Sequence, residues 1–184
     1  MKEISLNILD IAENSVRANA TLTKIELNET DSELLLKISD DGSGMEREVL
    51  EGVINPFYTT RTTRKVGLGI PLIKLAAEQT GGSFEIRSKH INEHPENHGT
   101  VVEVKFIKNH IDYTPLGDTV STVTTLIQGH PETDFVFCHE FFDKSVLLDT
   151  RELRRELGDI PLNTYEVIKW VEEYLVEQYS TLYS

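Results

Sequence analysis

The sequence predicts an α+β fold, a two-layer α/β sandwich of helices on a sheet, followed by a small α/β extension. Three observations predict it. Four stretches between Thr23 and Ile107 alternate apolar and polar residues, as half-buried strands do. Stripes with the period of a helix precede and interrupt them, and the pattern closes a complete unit by about Lys108, because a sheet that is apolar on one face must bury it under helices.

Residues from about Ser5 to Ala18 read as a helix, with Leu9, Ala12 and Val16 on one stripe and Asp10, Asn14 and Arg17 on another. Two strands follow, Thr23 to Asn28 and Glu33 to Ser39, joined by the polar turn Glu29-Thr30-Asp31-Ser32 as a hairpin. A short helix carries Val49, Leu50, Val53 and Ile54 and leads to an irregular segment from Asn55 to Val66, rich in Thr and Arg. Gly67-Leu68-Gly69 then opens a helix with Pro71 in its first turn and Gly81-Gly82 as its stop. Strands from Ser83 to Ser88 and from Thr100 to Ile107 flank the polar loop His90 to His98.

Beyond a turn-rich junction at Asp112 to Gly117 the chain has further elements. Val120, Val123 and Ile127 mark a helix ended by Gly129, and Phe135 to Cys138 and Ser145 to Leu148 read as short strands. Asp149 with Glu152 resembles a capping box for a helix through Leu157. A last helix runs from Asn163 or Thr164 toward Tyr183, with a stripe of Val167, Val171, Tyr174 and Gln178 that must pack on the first part or on a second subunit. The expected division is therefore 1–109 and 110–184.

Composition narrows the function. Of 184 residues 39% are hydrophobic, enough for a packed core. No apolar run approaches the roughly 18 residues of a membrane span, and Met1-Lys2-Glu3-Ile4 lacks the basic and then apolar order of a signal peptide, so the expectation is a cytoplasmic protein without a membrane partner. The single cysteine, Cys138, sits in an apolar run and is expected in the core. A net charge of -13 argues against nucleic acid as a partner, since phosphate backbones call for clustered Lys and Arg. The charge is uneven: from His110 onward there are 5 basic and 14 acidic residues. That surplus reads either as solubility or as a surface for a basic partner. The nearly balanced first part is where an anionic ligand would sit.

Three local patterns carry chemistry. Asp40-Asp41-Gly42-Ser43-Gly44-Met45 follows an apolar strand; a strand-end carboxylate can accept hydrogen bonds from an exocyclic amine while glycines admit a flat ligand, although Asp-Asp-Gly is also an ordinary turn. Asp10, Asn14 and Arg17, at i, i+4 and i+7, offer a base or orienter, a neutral oxygen for Mg2+ and a phosphate grip; the alternative is a solvated face with Glu13 and Arg17 paired. Gly67-Leu68-Gly69-Ile70 at a helix start can hold phosphate on backbone N–H groups, with Thr59 to Lys65 as a closing lid.

These patterns, with Asn55-Pro56-Phe57-Tyr58-Thr59-Thr60-Arg61 and Gly99-Thr100, occur in the order and spacing of the GHKL superfamily, which the chain resembles over about residues 1 to 108. That superfamily contains gyrase, heat-shock chaperones, sensor histidine kinases and mismatch-repair ATPases. The resemblance implies the Bergerat fold, a mixed sheet with helices on one face, binding ATP with Mg2+. It implies Asn14 as the Mg2+ ligand, Asp40 on the adenine amino group, Gly42, Gly44 and Met45 around the adenine, and Phe57 in a box most like the kinase branch. Thr60, Gly67, Leu68 and Gly69 would stand near the phosphates, Thr100 would close the adenine pocket, and Arg17 stands where histidine kinases often carry a Lys.

Two departures shape the expectation. Position 10 is Asp rather than the Glu of hydrolysing branches or the Asn common in histidine kinases. No dimerising hairpin with a phosphoacceptor His is expected before the first helix. His139-Glu140 follows a strand and is not expected to accept phosphate; His90, His94 and His98 read as a solvated loop rather than a metal site. The leading expectation is transfer of the γ-phosphate to a separate protein, with Asp10, Arg17 and Arg61 in catalysis. An ATP-hydrolysing switch, a nucleotide-sensing module and a homodimer are the alternatives carried forward.

Overall fold

The computed structural model describes residues 3–55 and 68–184. Phe57, Thr60, Arg61 and Gly67, and the expected lid, lie outside the described residues. In chain order the elements are α1 (Ile4–Arg17), β1 (Leu22–Glu29), β2 (Glu33–Asp40), α2 (Arg47–Ile54), α3 (Gly69–Gln79), β3 (Ser83–Lys89), β4 (Gly99–Ile107), α4 (Thr119–Gly129), β5 (Asp134–Phe141), β6 (Lys144–Asp149), α5 (Thr150–Leu157) and α6 (Tyr165–Leu182). The strands form one six-stranded sheet in the order β3-β4-β2-β1-β5-β6. It is mixed: β1 runs parallel to β5, and the other neighbours are antiparallel.

Alternation explains the two layers. Ile25, Leu27, Leu34, Leu36, Ile38, Val102, Val104, Phe106, Phe135 and Phe137 are buried, while the residues between them face the other side and are exposed or partly so. Burying such side chains contributes roughly 1.5–3 kcal/mol each, so the register that turns them all to one face is strongly selected. The outer face instead carries cross-strand ion pairs such as Lys37–Glu103 and Arg87–Glu103. Cys138, expected in the core, lies on that partly exposed outer face, because Phe137 and His139 on either side of it point inward.

The residues after His110 extend the same sheet and the same helical layer. β5 pairs with β1 along its length, from Leu22↔Asp134 to Glu29↔Phe141. α4 lies against α1, where Thr122 Oγ1 donates to the Ser5 carbonyl at 3.2 Å. Among the described residues no helix is long and apolar enough to cross a membrane.

Three local expectations shift. In α1 the buried stripe is Ile4, Ile8, Ile11, Ala12 and Ser15, with Leu9 and Val16 at its margins. In α6 the seam is Val167, Val171, Leu175 and Leu182 rather than one through Tyr174 and Gln178, because a spacing of i, i+4 and i+8 keeps Leu175 over the sheet. At α5 the Asp149 carboxylate accepts from Arg151 N at 2.9 Å and from the Arg151 guanidinium, so the cap is closed by Arg151 and not by Glu152.

A buried polar cluster ties α6 to the far end of β1. Glu29, 6% exposed, accepts from Lys108 Nζ at 2.6 Å, Tyr183 OH at 2.8 Å and His139 Nε2 at 2.9 Å. The carboxylate only accepts, so Nε2 carries the imidazole proton and Nδ1 is left for Tyr179 OH at 2.8 Å. Burial pushes the Glu29 pKa up, but the hydrogen bonds from His139, Lys108 and Tyr183 outweigh it and hold the carboxyl down at about 2.

Candidate functional site

At the opposite end of β1 and β2 a cavity of about 510 Å³ opens between α1, α2, α3 and the sheet, within the size range of nucleotide-sized pockets. Ile38, Met45, Val49, Val53, Ile70 and Val102 give it apolar walls. Asn14, Arg17, Asp40, Gly44 and Thr100 add polar groups and close backbone. Asp40 ends β2, where strand register sets it opposite Thr23 on one side and Thr100 on the other.

The two adjacent acids have different environments. Asp40 Oδ1 accepts from Gly42 N at 2.9 Å and Oδ2 from Ser15 Oγ at 2.7 Å, leaving further lone pairs for a donor in the cavity. Burial raises its pKa, against the pull of the Ser15, Gly42 and Thr100 hydrogen bonds. Asp41 lies outside the cavity lining, and its Oδ1 accepts from Thr21 N at 2.8 Å and Leu22 N at 2.9 Å. Its slight burial raises its pKa, but the Thr21 hydroxyl and these backbone donors outweigh that and lower it. Asp41 thus fixes the chain entering β1.

Gly42 packs on α1, where a Cβ would stand 2.9 Å from that of Ala18. Gly44 has φ +68, and a Cβ there would lie 2.0 Å from the Lys89 carbonyl oxygen, so only glycine lets the chain turn at the cavity rim. Met45 N then donates to Ser88 Oγ at 2.8 Å, and Ser88 Oγ lies 2.8 Å from Thr100 Oγ1. Thr100 is thereby held at the wall by its neighbours on β3 and β4.

On α1, Asn14 and Arg17 line the cavity, whereas Asp10 is exposed and stands outside it. Asp10 lies instead against the start of α3: a Cβ on Gly69 would come within 2.7 Å of the Asp10 Cβ. The expected pairing of Glu13 with Arg17 does not form. Glu13 Oε1 meets His130 Nε2 at 2.8 Å, drawn away by the end of α4, and no described residue forms an ion pair with Arg17. Nor does the Asn14 amide hydrogen-bond to any described side chain or backbone group, so its oxygen fits a divalent cation that prefers neutral and anionic oxygens. Leu68, exposed, precedes α3 and gives it no side-chain cap; the first N–H groups of a helix have no partner within it and can hold an anion.

Sequence reasoning missed Ser15, Asn7 and His98. Ser15 orients Asp40; Asn7 Nδ2 donates to the Gly69 carbonyl at 3.2 Å and fixes α3 to α1; His98 Nδ1 lies 2.5 Å from the Gly42 carbonyl and ties down the loop before β4. Ser15 and Asn7 left a readable signal, since both fall on the stripe of Ile4, Ile8 and Ile11, where a polar side chain must find a partner. His98 left none.

Comparison with known proteins identifies the family and the fold. The sensor protein SrrB of Staphylococcus aureus is 31% identical over 94 residues, which are 48% of this chain and 16% of SrrB. The chain thus matches only a small part of that relative's length. The Aquifex aeolicus MutL ATPase domain, solved in complex with ADP, shares the fold with a TM-score of 0.56 at 17% identity, covering 85% of this chain and 68% of that one. Residues 2–125 match the family model of histidine kinase-, DNA gyrase B- and HSP90-like ATPases. That match runs from α1 into α4 and so includes the elements that form the cavity, and this chain belongs to that family of ATPases.

Proposed function

We propose that the chain binds Mg-ATP in this cavity and passes the γ-phosphate to a hydroxyl or imidazole on a separate protein. The observation that carries the nucleotide reading is Asp40, a half-buried acid with open acceptor capacity beside the apolar walls of the cavity. An adenine ring would lie between Met45, Ile38 and Val102 with its amino group on Asp40, and Thr100 would limit the slot beside it. Asn14 would hold Mg2+, which when bound neutralises phosphate charge. Arg17 and the first turn of α3 would hold the phosphates, with Leu68, Gly69 and, beyond the described residues, Thr60, Arg61 and Gly67 around them. Asp10, at the start of α3, would orient or deprotonate the attacking group.

The kinase-like box at Phe57 supports transfer to a protein. His139 does not serve as an acceptor within the chain: it is fully buried, and both ring nitrogens are engaged. In this reading residues 1–109 hold the nucleotide and 110–184 contact the partner. Incubation of the chain with γ-labelled ATP and lysate proteins tests it, label on a protein band being the expected result; free phosphate alone sinks the transfer step.

A second reading, slow hydrolysis that drives a conformational switch, draws on the carboxylate at position 10. Water instead of a protein hydroxyl would then be the attacking group. Stoichiometric phosphate release, suppressed in Asp10→Asn with ATP binding retained, distinguishes it.

A further inference from the structure

Four of the 14 acidic residues beyond His110 lie on α6, which also carries an exposed aromatic pair. Trp170 is 50% exposed, and its ring stacks on that of Tyr174 with centroids 5.2 Å apart and planes 11° apart. The platform is fixed, because Tyr174 OH donates to the Leu147 carbonyl of β6 at 3.0 Å. Leu147, itself half exposed, continues the apolar surface onto the edge strand.

Around the indole the helix places acids. Glu166, Glu173 and Glu177 stand at i-4, i+3 and i+7 from Trp170, so all three share its face of α6. Lys169, the one basic residue of the helix, reaches Glu173 only at 3.9 Å with both side chains exposed, a weak pair. No described cation pairs with Glu166 or Glu177.

We propose that this face of α6 docks an arginine-bearing basic segment of a protein partner, a guanidinium lying on the Trp170–Tyr174 stack while Glu166, Glu173 and Glu177 surround it. A planar cation is attracted to an aromatic face, and neighbouring carboxylates can accept its N–H groups. A rigid aromatic platform loses little entropy on binding. A second copy of the chain is disfavoured as the occupant, since a symmetric contact would oppose one glutamate stripe to another.

Trp170 is the chain's only tryptophan, so its fluorescence reports on this face directly. The full chain is titrated, without nucleotide, with an acetylated and amidated peptide of alternating arginine and leucine, and with its citrulline counterpart, which has the same shape without charge. The arginine peptide should change Trp170 emission saturably, with an affinity that falls as salt rises and that is about tenfold above the citrulline peptide's. By calorimetry Trp170→Ala should weaken binding about tenfold, as should the double change Glu173→Gln with Glu177→Gln, which leaves the aromatic stack intact. Equal affinities for the two peptides, or unchanged affinity in both variants, overturn the proposal. So does an emission spectrum that depends on protein concentration without peptide, which would show a second copy on this face. Because no ATP is present, none of these outcomes bears on the nucleotide site.

Discussion

Asp40 and Asp41 are neighbours, yet burial raises the pKa of the first while a hydroxyl and two backbone N–H groups lower that of the second. The two should therefore respond differently to the same change. Asp40→Asn turns a donor toward Ser15 or Gly42 and removes an acceptor from the cavity; ATP affinity measured by calorimetry should fall more than about tenfold. Asp41→Asn should leave affinity within about threefold and instead cost roughly 1–2 kcal/mol of stability in urea denaturation, because it releases the chain entering β1. Equal losses of affinity at both positions would undo the assignment. Since the Asp40 pKa is raised above its ordinary 3.8, acidification should weaken ATP binding beginning above that value, as protonation removes the acceptor. The sequence made Asp40 and its glycines legible as a strand-end acid beside a turn. The place of Ser15 on the apolar stripe of α1 signalled that it needs a partner but not which one, since only the packing of α1 on β2 selects Asp40.

At the scale of elements, two junctions matter. The first is α1 with the start of α3, where Gly69 leaves room for Asp10 and Asn7 holds the Gly69 carbonyl. Gly69→Ala would force Asp10 aside by its Cβ, so turnover should fall by about tenfold or more while helical content by circular dichroism is kept. The second is the Glu29 cluster that ties α6 to β1 and β5. Glu29 has a folded pKa of about 2 against an ordinary 4.5, so its contribution to stability is fully present above pH 4.5 and is lost as pH falls toward 2. That difference corresponds to about 3 kcal/mol, and Glu29→Gln should flatten the acid limb of a stability-versus-pH curve measured by denaturant unfolding. An acid limb unchanged by the substitution would mean that other carboxylates carry it.

For the whole molecule, the sheet order decides what can be separated. β5 lies beside β1, with Phe135 and Phe137 in the shared core, and α4 covers part of α1. A chain ended at residue 109 would leave β1 as an unprotected edge and expose the flank of α1 behind Asn14 and Ser15. Such a fragment should lose the single cooperative unfolding transition expected of the full chain, as followed by calorimetry. Two independent transitions in the full chain, one matching the fragment, would argue for separate folding units. The sequence reading followed each strand of the latter half correctly to within a few residues but had no means of joining β5 to β1. Their parallel pairing is long-range, and alternation states which face of a strand is buried without stating its neighbour.

What the sequence determined by itself is local. The order and kind of the elements, the glycine turns at the cavity rim, the polar face of α1 and the acidic bias of the latter half follow from periodicity and turn chemistry within short windows. Tertiary structure alone decided the choice of partners. It gave Glu13 to His130 across a separation of 117 residues and left Arg17 at the cavity, turned Cys138 outward, buried His139 against Glu29 and moved Asp10 to the start of α3. The physical reason is that an apolar face has one favourable direction, toward the core. A polar side chain satisfies itself with whichever donor or acceptor the packing brings within reach.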